Sequence, residues 1–501
     1  MLQAAEAAWE RKDFQACLET LASANRIAPA NTSILLQLGR IHGLSYNYAA
    51  AESCFEKALR VAPRRTEMLT AIADHCQNFR NPEIAARYLR RALEQPDATP
   101  LACIKLAELY ERLRRLPEAA QLVERALQLN PADPAALLVR ARLERLAGRL
   151  EPAEHVLRSF LTKPIPDPWL HAQAWYELGN VLDRQERFDE AMAALLEAKA
   201  LMRPQAARHL AELKIFRARL QVMTANVSSE MFQRWFTAGP TLPPARRLAL
   251  LCGHARSGTT LLEQVLDAHP DLVSAEETTT FLDEAFAPLR RNLPPDAYML
   301  PVLEAASTPA LQQVRAAYFH AMELSLGNPI ANRLLLDKNP VLTFMIPAFV
   351  RIFPETKFLI ALRDPRDVVL SCFMQPQPLN PVTAAYLSLA GTAEDYAALM
   401  NLWRTLKPLM PAPCLEVRYE DMVEDLEAVA RKTLNFLGVA WDPRVLEFDA
   451  HARQKMVRSP TYADVTQPVY KRARGRWRHY QKYLEPHLEK LEPFVKAFGY
   501  E

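Results

Sequence analysis

Five prolines set the frame for the first 205 residues of this chain. Pro29, Pro63, Pro96, Pro131 and Pro164 recur at intervals of 33 to 35 residues, each just after apolar residues at helical spacing. A repeat of that length held in phase leaves few architectures open, the simplest being stacked units of two short helices. Proline follows each second helix because it cannot continue one. Small residues mark the helix centres: Leu38-Gly39 precedes Ala51, Phe55 and Ala58, and Leu178-Gly179 precedes Ala191, Leu195 and Ala198. Glycine or alanine at those centres lets paired helices approach closely, while larger apolar residues fill the flanks.

Intermediate copies carry Ile72-Ala73 with Ala85, Leu89 and Ala92, then Leu106-Ala107 with Ala119, Val123 and Ala126. A degenerate copy holds Ala153, Leu157 and Phe160, and a truncated first copy is marked by Phe14, Leu21 and Ala24. This pattern resembles the tetratricopeptide repeat, whose period is about 34 residues. The resemblance implies an all-α superhelix over 1–205 that either binds a protein or peptide partner in its concave groove or supports the next domain. Residues 206–246 read as a connecting helix and linker, closed by the breakers Gly239-Pro240 and Pro243-Pro244.

A net charge of +3 over 501 residues leaves no bulk electrostatic footprint for nucleic acid or membrane, so any anion site is local. The seven cysteines are scattered and form no CxxC pair, which suits free thiols in a reducing compartment. The first residues lack a basic segment followed by an apolar one, and no apolar run reaches the roughly 18 residues of a membrane span. The expectation is a cytoplasmic protein.

The chemistry begins at residues 248–260, LALLCGHARSGTT. An apolar run reads as a buried strand, a loop bracketed by Gly253 and Gly258 follows, and Leu261, Leu262, Val265 and Leu266 continue at helical spacing. Strand, glycine loop and helix N-terminus together cradle phosphate, because backbone N–H groups and the dipole's positive end converge there. The spacing is that of a Walker A loop, but Thr259 stands where its lysine would be. That substitution disfavours a nucleotide kinase and leaves Arg256 as the charge inside the loop.

Three further strands complete a parallel α/β pattern: one ending in Lys338, one ending in Arg363, and one ending at Tyr419. Ligands in open α/β sheets bind beyond the carboxyl ends of strands, so Arg256, Lys338 and Arg363 are expected to converge. Glu276 and Glu277 follow a short Leu272-Val273 run, and a carboxylate beside a phosphate loop is placed to take a proton from a hydroxyl. His269, before Pro270, reads as a packing or capping histidine at a helix end.

Arg256-Ser257-Gly258-Thr259-Thr260 with Arg363 and Ser371 resembles the sulfotransferases that use 3′-phosphoadenosine 5′-phosphosulfate (PAPS). Asp267-Ala-His-Pro through Glu276-Glu277-Thr278 is similar to the tyrosylprotein sulfotransferases and to bacterial repeat-fused sulfotransferases, and the likeness runs through 247–501. It implies a P-loop-like domain with a parallel sheet that transfers a sulfuryl group to an acceptor hydroxyl, leaving adenosine 3′,5′-bisphosphate (PAP), with no metal. By resemblance, the loop with Thr259 and Thr260 holds the 5′-phosphosulfate, and Arg363 and Ser371 hold the 3′-phosphate. Tyr419 lies near adenine, Arg476 near the 3′-phosphate, and Thr461 near the transferring group. Glu277 matches the general base, while Arg256 and Lys338 match the stabilising cations. Two departures stand out. Ala255 replaces a common proline, and Thr279 replaces an arginine that engages acidic peptides, so an acidic tyrosine motif is not implied as substrate. The alternative is a repeat-based interaction scaffold whose sulfotransferase-like domain is inactive.

Overall fold

Short polar side chains start the helices that the proline period requires. Asn31, Asn47 and Asn81 each accept a backbone N–H from the first turn that follows, at 3.2, 3.2 and 3.1 Å, and Asp133 does so at 3.0 Å. The computed structural model describes all residues except 11–13, 78, 80, 244–245, 292, 295–296, 412, 454–464, 467–468, 470 and 501. The chain divides into two units, Met1–Val156 with Leu324–Gly327, and Leu157–Glu323 with Asn328–Glu501.

The first unit is helical throughout its repeat region. Helices Phe14–Ile27, Tyr48–Val61, Pro82–Leu93 and Leu116–Leu129 each stop two or three residues before one of the periodic prolines. The small residues read as helix centres are buried, among them Ala51, Ala58, Ala73, Ala92, Ala107 and Ala126. Gly39 faces the ring of Phe55, and Gly43 faces that of Phe79, so closely that a Cβ on either glycine would overlap the ring.

In the second unit the last repeat, helices Pro168–Arg184 and Phe188–Met202, leads through helices Ala207–Asn226 and Ser229–Ala238 into the sheet. The strands are β1 (Leu248–Gly253), β2 (Leu272–Glu276), β3 (Leu334–Lys338), β4 (Lys357–Leu362) and β5 (Cys414–Arg418). All pairs are parallel, in the order β2-β3-β1-β4-β5. Every residue of β1 and β3 is buried, which is why 248–252 and 334–336 read as apolar runs rather than alternating ones, while β3 ends in the buried charges Asp337 and Lys338. One face packs Ala249, Leu251, Leu336 and Leu359 against Leu262, Val265 and Leu266 of the helix Thr259–Asp267.

β1 is central. The connection leaving it runs toward β2 at one edge, and the connection leaving β4 runs toward β5 at the other. The chain therefore parts between the carboxyl ends of β1 and β4, the place where an open α/β sheet forms its crevice. Among the described residues, no helix is long and apolar enough to cross a membrane.

Candidate functional site

The loop after β1 takes its shape from two glycines. Gly253 has φ 144°, and a Cβ there would run into the carbonyl oxygen of Ala361 on β4. Gly258 has φ 91°, caps the helix Thr259–Asp267, and would bring a Cβ to 2.8 Å from the Tyr419 ring. Thr343 ties the strand end down: its hydroxyl accepts the Gly253 N–H at 2.8 Å and donates to the Gly253 carbonyl at 2.5 Å. Ser257 is buried in the loop, and Thr259 and Thr260 are buried in the first turn of the helix. Arg256 adopts φ 70°, a left-handed conformation unusual for a side chain of its size.

Arg256 and Arg363 meet at the parting of β1 and β4. Arg256 Nε donates to the Ser371 hydroxyl at 3.0 Å, and Arg363 Nη1 donates to the Arg256 carbonyl at 3.3 Å. The Arg363 guanidinium lies 5.0 Å from the centre of the Tyr419 ring, close enough for cation–π attraction. Its Nε is buried and has no hydrogen-bond partner among the described residues. Asp367, one turn along the helix Pro365–Met374, sits 3.9 Å from Arg363 and accepts the backbone N–H groups of Gly475 and Trp477 at 2.7 and 2.8 Å. That clamp brings the intervening Arg476 to the edge of the same region. Arg476 itself pairs with Asp183 of the last repeat, through contacts of 3.2 and 2.6 Å.

On the other side of β1 the carboxyl ends of β2 and β3 carry Glu276, Glu277 and Lys338. The ammonium of Lys338 is fully buried and lies 2.8 Å from Glu277, 3.2 Å from Glu263 and 3.5 Å from Glu276. Burial works against its charge, but Glu263, Glu277 and Glu276 outweigh that and raise its pKa. Glu277 reaches toward solvent, its side chain 36% exposed, and it sits at φ 47° with its N–H donated to the Lys338 carbonyl at 2.7 Å. Such backbone strain in a non-glycine residue concentrates at functional sites.

Thr461 lies outside the described residues. The other residues singled out from the sequence fall into two groups: Arg256, Arg363, Ser371 and Tyr419 around the loop, and Lys338 with Glu277 one strand over. Arg476 stands at the rim, joined to the first group through Asp367. His269 is a packing histidine, Nε2 donating to the Ala440 carbonyl at 2.9 Å and Nδ1 accepting the Asp271 N–H at 3.0 Å.

Sequence reasoning missed Glu263, Asp183, Asp367 and His254. Glu263 interrupts the apolar face of the helix after the loop, a signal that was present. His254 sits inside the loop, buried, with Nδ1 donating to the Ala255 carbonyl at 2.8 Å and Nε2 3.5 Å from Asp395. The ring thus faces a carbonyl and a carboxylate, with Cys372 Sγ 4.0 Å from Nδ1. Burial disfavours a charge on it, yet Asp395 and Cys372 overcome that and raise the pKa to about 10.

Residues 249–443 match the family described as the sulfotransferase family, and residues 32–65 and 70–134, 104–168 and 138–207 match tetratricopeptide repeats. An uncharacterized protein of Aquifex aeolicus (strain VF5) is 26% identical over 68% of this chain and 44% of its own length. Protein-tyrosine sulfotransferase A of Caenorhabditis elegans is 27% identical over 39% of this chain and 51% of its own length. For protein-tyrosine sulfotransferase 1 of Danio rerio the figures are 30%, 40% and 56%. The chain thus spans about half the length of these curated relatives. Among solved structures, the sulfotransferase domain from the Synechococcus PCC 7002 olefin synthase aligns over 51% of this chain and 96% of its own, at 21% identity and a TM-score of 0.35. The chain joins tetratricopeptide repeats to a domain of the sulfotransferase family.

Proposed function

We propose that this chain transfers a sulfuryl group from PAPS to an acceptor hydroxyl. The observation that carries this reading is the pairing of two arginines with a glycine-bracketed loop where β1 and β4 part, with a carboxylate just past β2 paired to Lys338 at the end of β3, the strand next to β1. A buried guanidinium Nε without an acceptor is the kind of group an anion completes. The donor set therefore suits a nucleotide with phosphate at both ends. Loop amides with Ser257, Gly258, Thr259 and Thr260 would hold the 5′-phosphosulfate, Arg363, Ser371 and Arg476 the 3′-phosphate, and Tyr419 the base. Thr461 is assigned to the transferring group from the sequence resemblance.

PAPS, when bound, supplies an activated sulfuryl group. The chain's own task is positioning and fixed charge, as expected when negative charge builds on equatorial and leaving oxygens during an in-line displacement. Arg256 and Lys338 provide that charge. Glu277, paired with the Lys338 ammonium and open to solvent, takes the acceptor's proton. We assign the repeats a recruiting role, presenting a protein or peptide partner that is the acceptor or delivers it.

Two measurements test this. Calorimetry should show PAP binding to the full chain. Labelled sulfate from PAPS should enter a product in lysate of a strain lacking the protein once the purified chain is added. Absence of PAP binding refutes the donor site, and binding without transfer favours the scaffold alternative.

A further inference from the structure

The last repeat reaches the candidate site through an acidic side chain. Asp183, near the end of the helix Pro168–Arg184, engages Arg476 bidentately: Nε to Oδ1 at 3.2 Å and Nη2 to Oδ2 at 2.6 Å. Tyr480 donates its hydroxyl to the same Oδ1 at 2.7 Å. The surrounding contacts hold the tail segment in register with the repeat. Phe188 stacks on His479 with ring centres 4.3 Å apart, and Asp189 accepts from Tyr483 at 3.0 Å. From the opposite side, Asp367 fixes the backbone on both flanks of Arg476 and lies beside Arg363.

A planar guanidinium held by one edge keeps its other edge in a set direction, whereas a free arginine pays rotamer entropy for each anion it meets. Asp183 engages Nε and Nη2 along one edge of the Arg476 guanidinium, and Nη1 lies outside that bidentate pair. We infer that Asp183 is a positioning residue for the anion site: the last tetratricopeptide repeat orients Arg476 toward the phosphate farthest from the loop. The inference rests on the donor reading above. On this view the last repeat is part of the donor site, whatever the preceding repeats recruit.

The test uses the full chain and two probes, PAP and AMP, the latter lacking the 3′-phosphate. Asp183→Asn should weaken PAP binding by roughly 3- to 30-fold, the range for partners in one ion-pair network, and leave AMP affinity within about twofold. On an Arg476→Ala background the same change should have no further effect, because Asp183 then has nothing to orient. Asp183→Glu should recover part of the loss, and Tyr480→Phe, which spares the ion pair, should retain PAP affinity. If wild type fails to bind PAP, the donor reading falls and takes this inference with it. If wild type binds and Asp183→Asn binds equally well, the inference alone is overturned. Equal losses for PAP and AMP, or full additivity with Arg476→Ala, would reduce Asp183 to a structural contact. Tighter PAP binding by Asp183→Asn would mean the carboxylate competes with phosphate, and would equally overturn it.

Discussion

At the scale of single residues, the pairing of Lys338 with Glu277 separates chemistry from folding. Glu277→Gln keeps an acceptor for the Lys338 ammonium but loses the basic carboxylate. Turnover should fall by about 10²–10⁴-fold, the range for general-base loss, with PAP affinity little changed. Near-full sulfuryl transfer by that variant would remove Glu277 from the mechanism. Lys338→Met acts differently, because it removes the buried cation that Glu263, Glu276 and Glu277 share. Breaking a buried ion pair from one side costs about 3–5 kcal/mol, so chemical denaturation should show a large loss of stability where Glu277→Gln shows almost none. Arg363→Ala should weaken PAP binding, since it removes the donor whose buried Nε has no partner among the described residues; unchanged affinity by calorimetry would reject its phosphate role. The residue types behind these expectations were legible because they sit in a motif or at strand ends. Glu263, Asp367 and Asp183 were not, because their importance comes from groups 75, 108 and 293 positions away that local pattern does not connect.

Among elements, those with a strict period were the easiest to read and those without one were not. Prolines ending helices, alanines at helix crossings and the buried runs of β1, β3 and β4 follow from spacing alone. β2 was seen only as a Leu272-Val273 fragment, since it lies at the sheet edge and carries Ser274 and Glu276. The segment between β2 and β3 went unread, although Leu311, Val314, Tyr318 and Met322 mark the buried stripe of the helix Thr308–Leu326. Its partner, the π-helical turn Phe281–Phe286, has no such stripe and is held instead by Phe281 stacking on Phe349 at 3.6 Å. Close helix packing in the repeats gives a direct test at this scale. Gly43→Ala gains helix propensity of about 1 kcal/mol, but the new methyl overlaps the ring of Phe79. That ring is enclosed by Tyr48 at 5.7 Å and Phe55 at 6.4 Å, so it has nowhere to retreat. Overpacking costs of about 1–3 kcal/mol therefore win. Hydrogen exchange should accelerate across helices Thr32–Leu44 and Tyr48–Val61, and unchanged protection there would show that the ring yields freely.

For the molecule as a whole, two buried groups in the second unit bend the pH dependence of stability in opposite directions. His254 titrates near 10 in the folded chain, above its ordinary value of 6.5. Between those values the folded state holds a proton that the unfolded state has released, so this stabilisation, complete below pH 6.5, drains away as pH rises toward 10. Lys199 is the reverse case. It lies buried between the rings of Tyr176 and Phe373, at 4.9 and 4.7 Å, and burial lowers its pKa from 10.5 to about 7. From pH 7 to 10.5 the unfolded chain binds the extra proton, so stability rises with pH across that window. Each slope is at most about 1.4 kcal/mol per pH unit, and where the windows overlap they offset one another. Lys199→Met removes the rising contribution, and titrating groups that do not interact with Lys199 cancel in the difference between wild type and variant. Measured by urea denaturation at a series of pH values, the variant should compare best with wild type below pH 7, where wild type buries an ammonium, and should lose ground steadily above it. Parallel profiles across the whole range would mean that Lys199 keeps its charge in the folded chain, its ammonium stabilised by the two flanking rings rather than surrendered to burial.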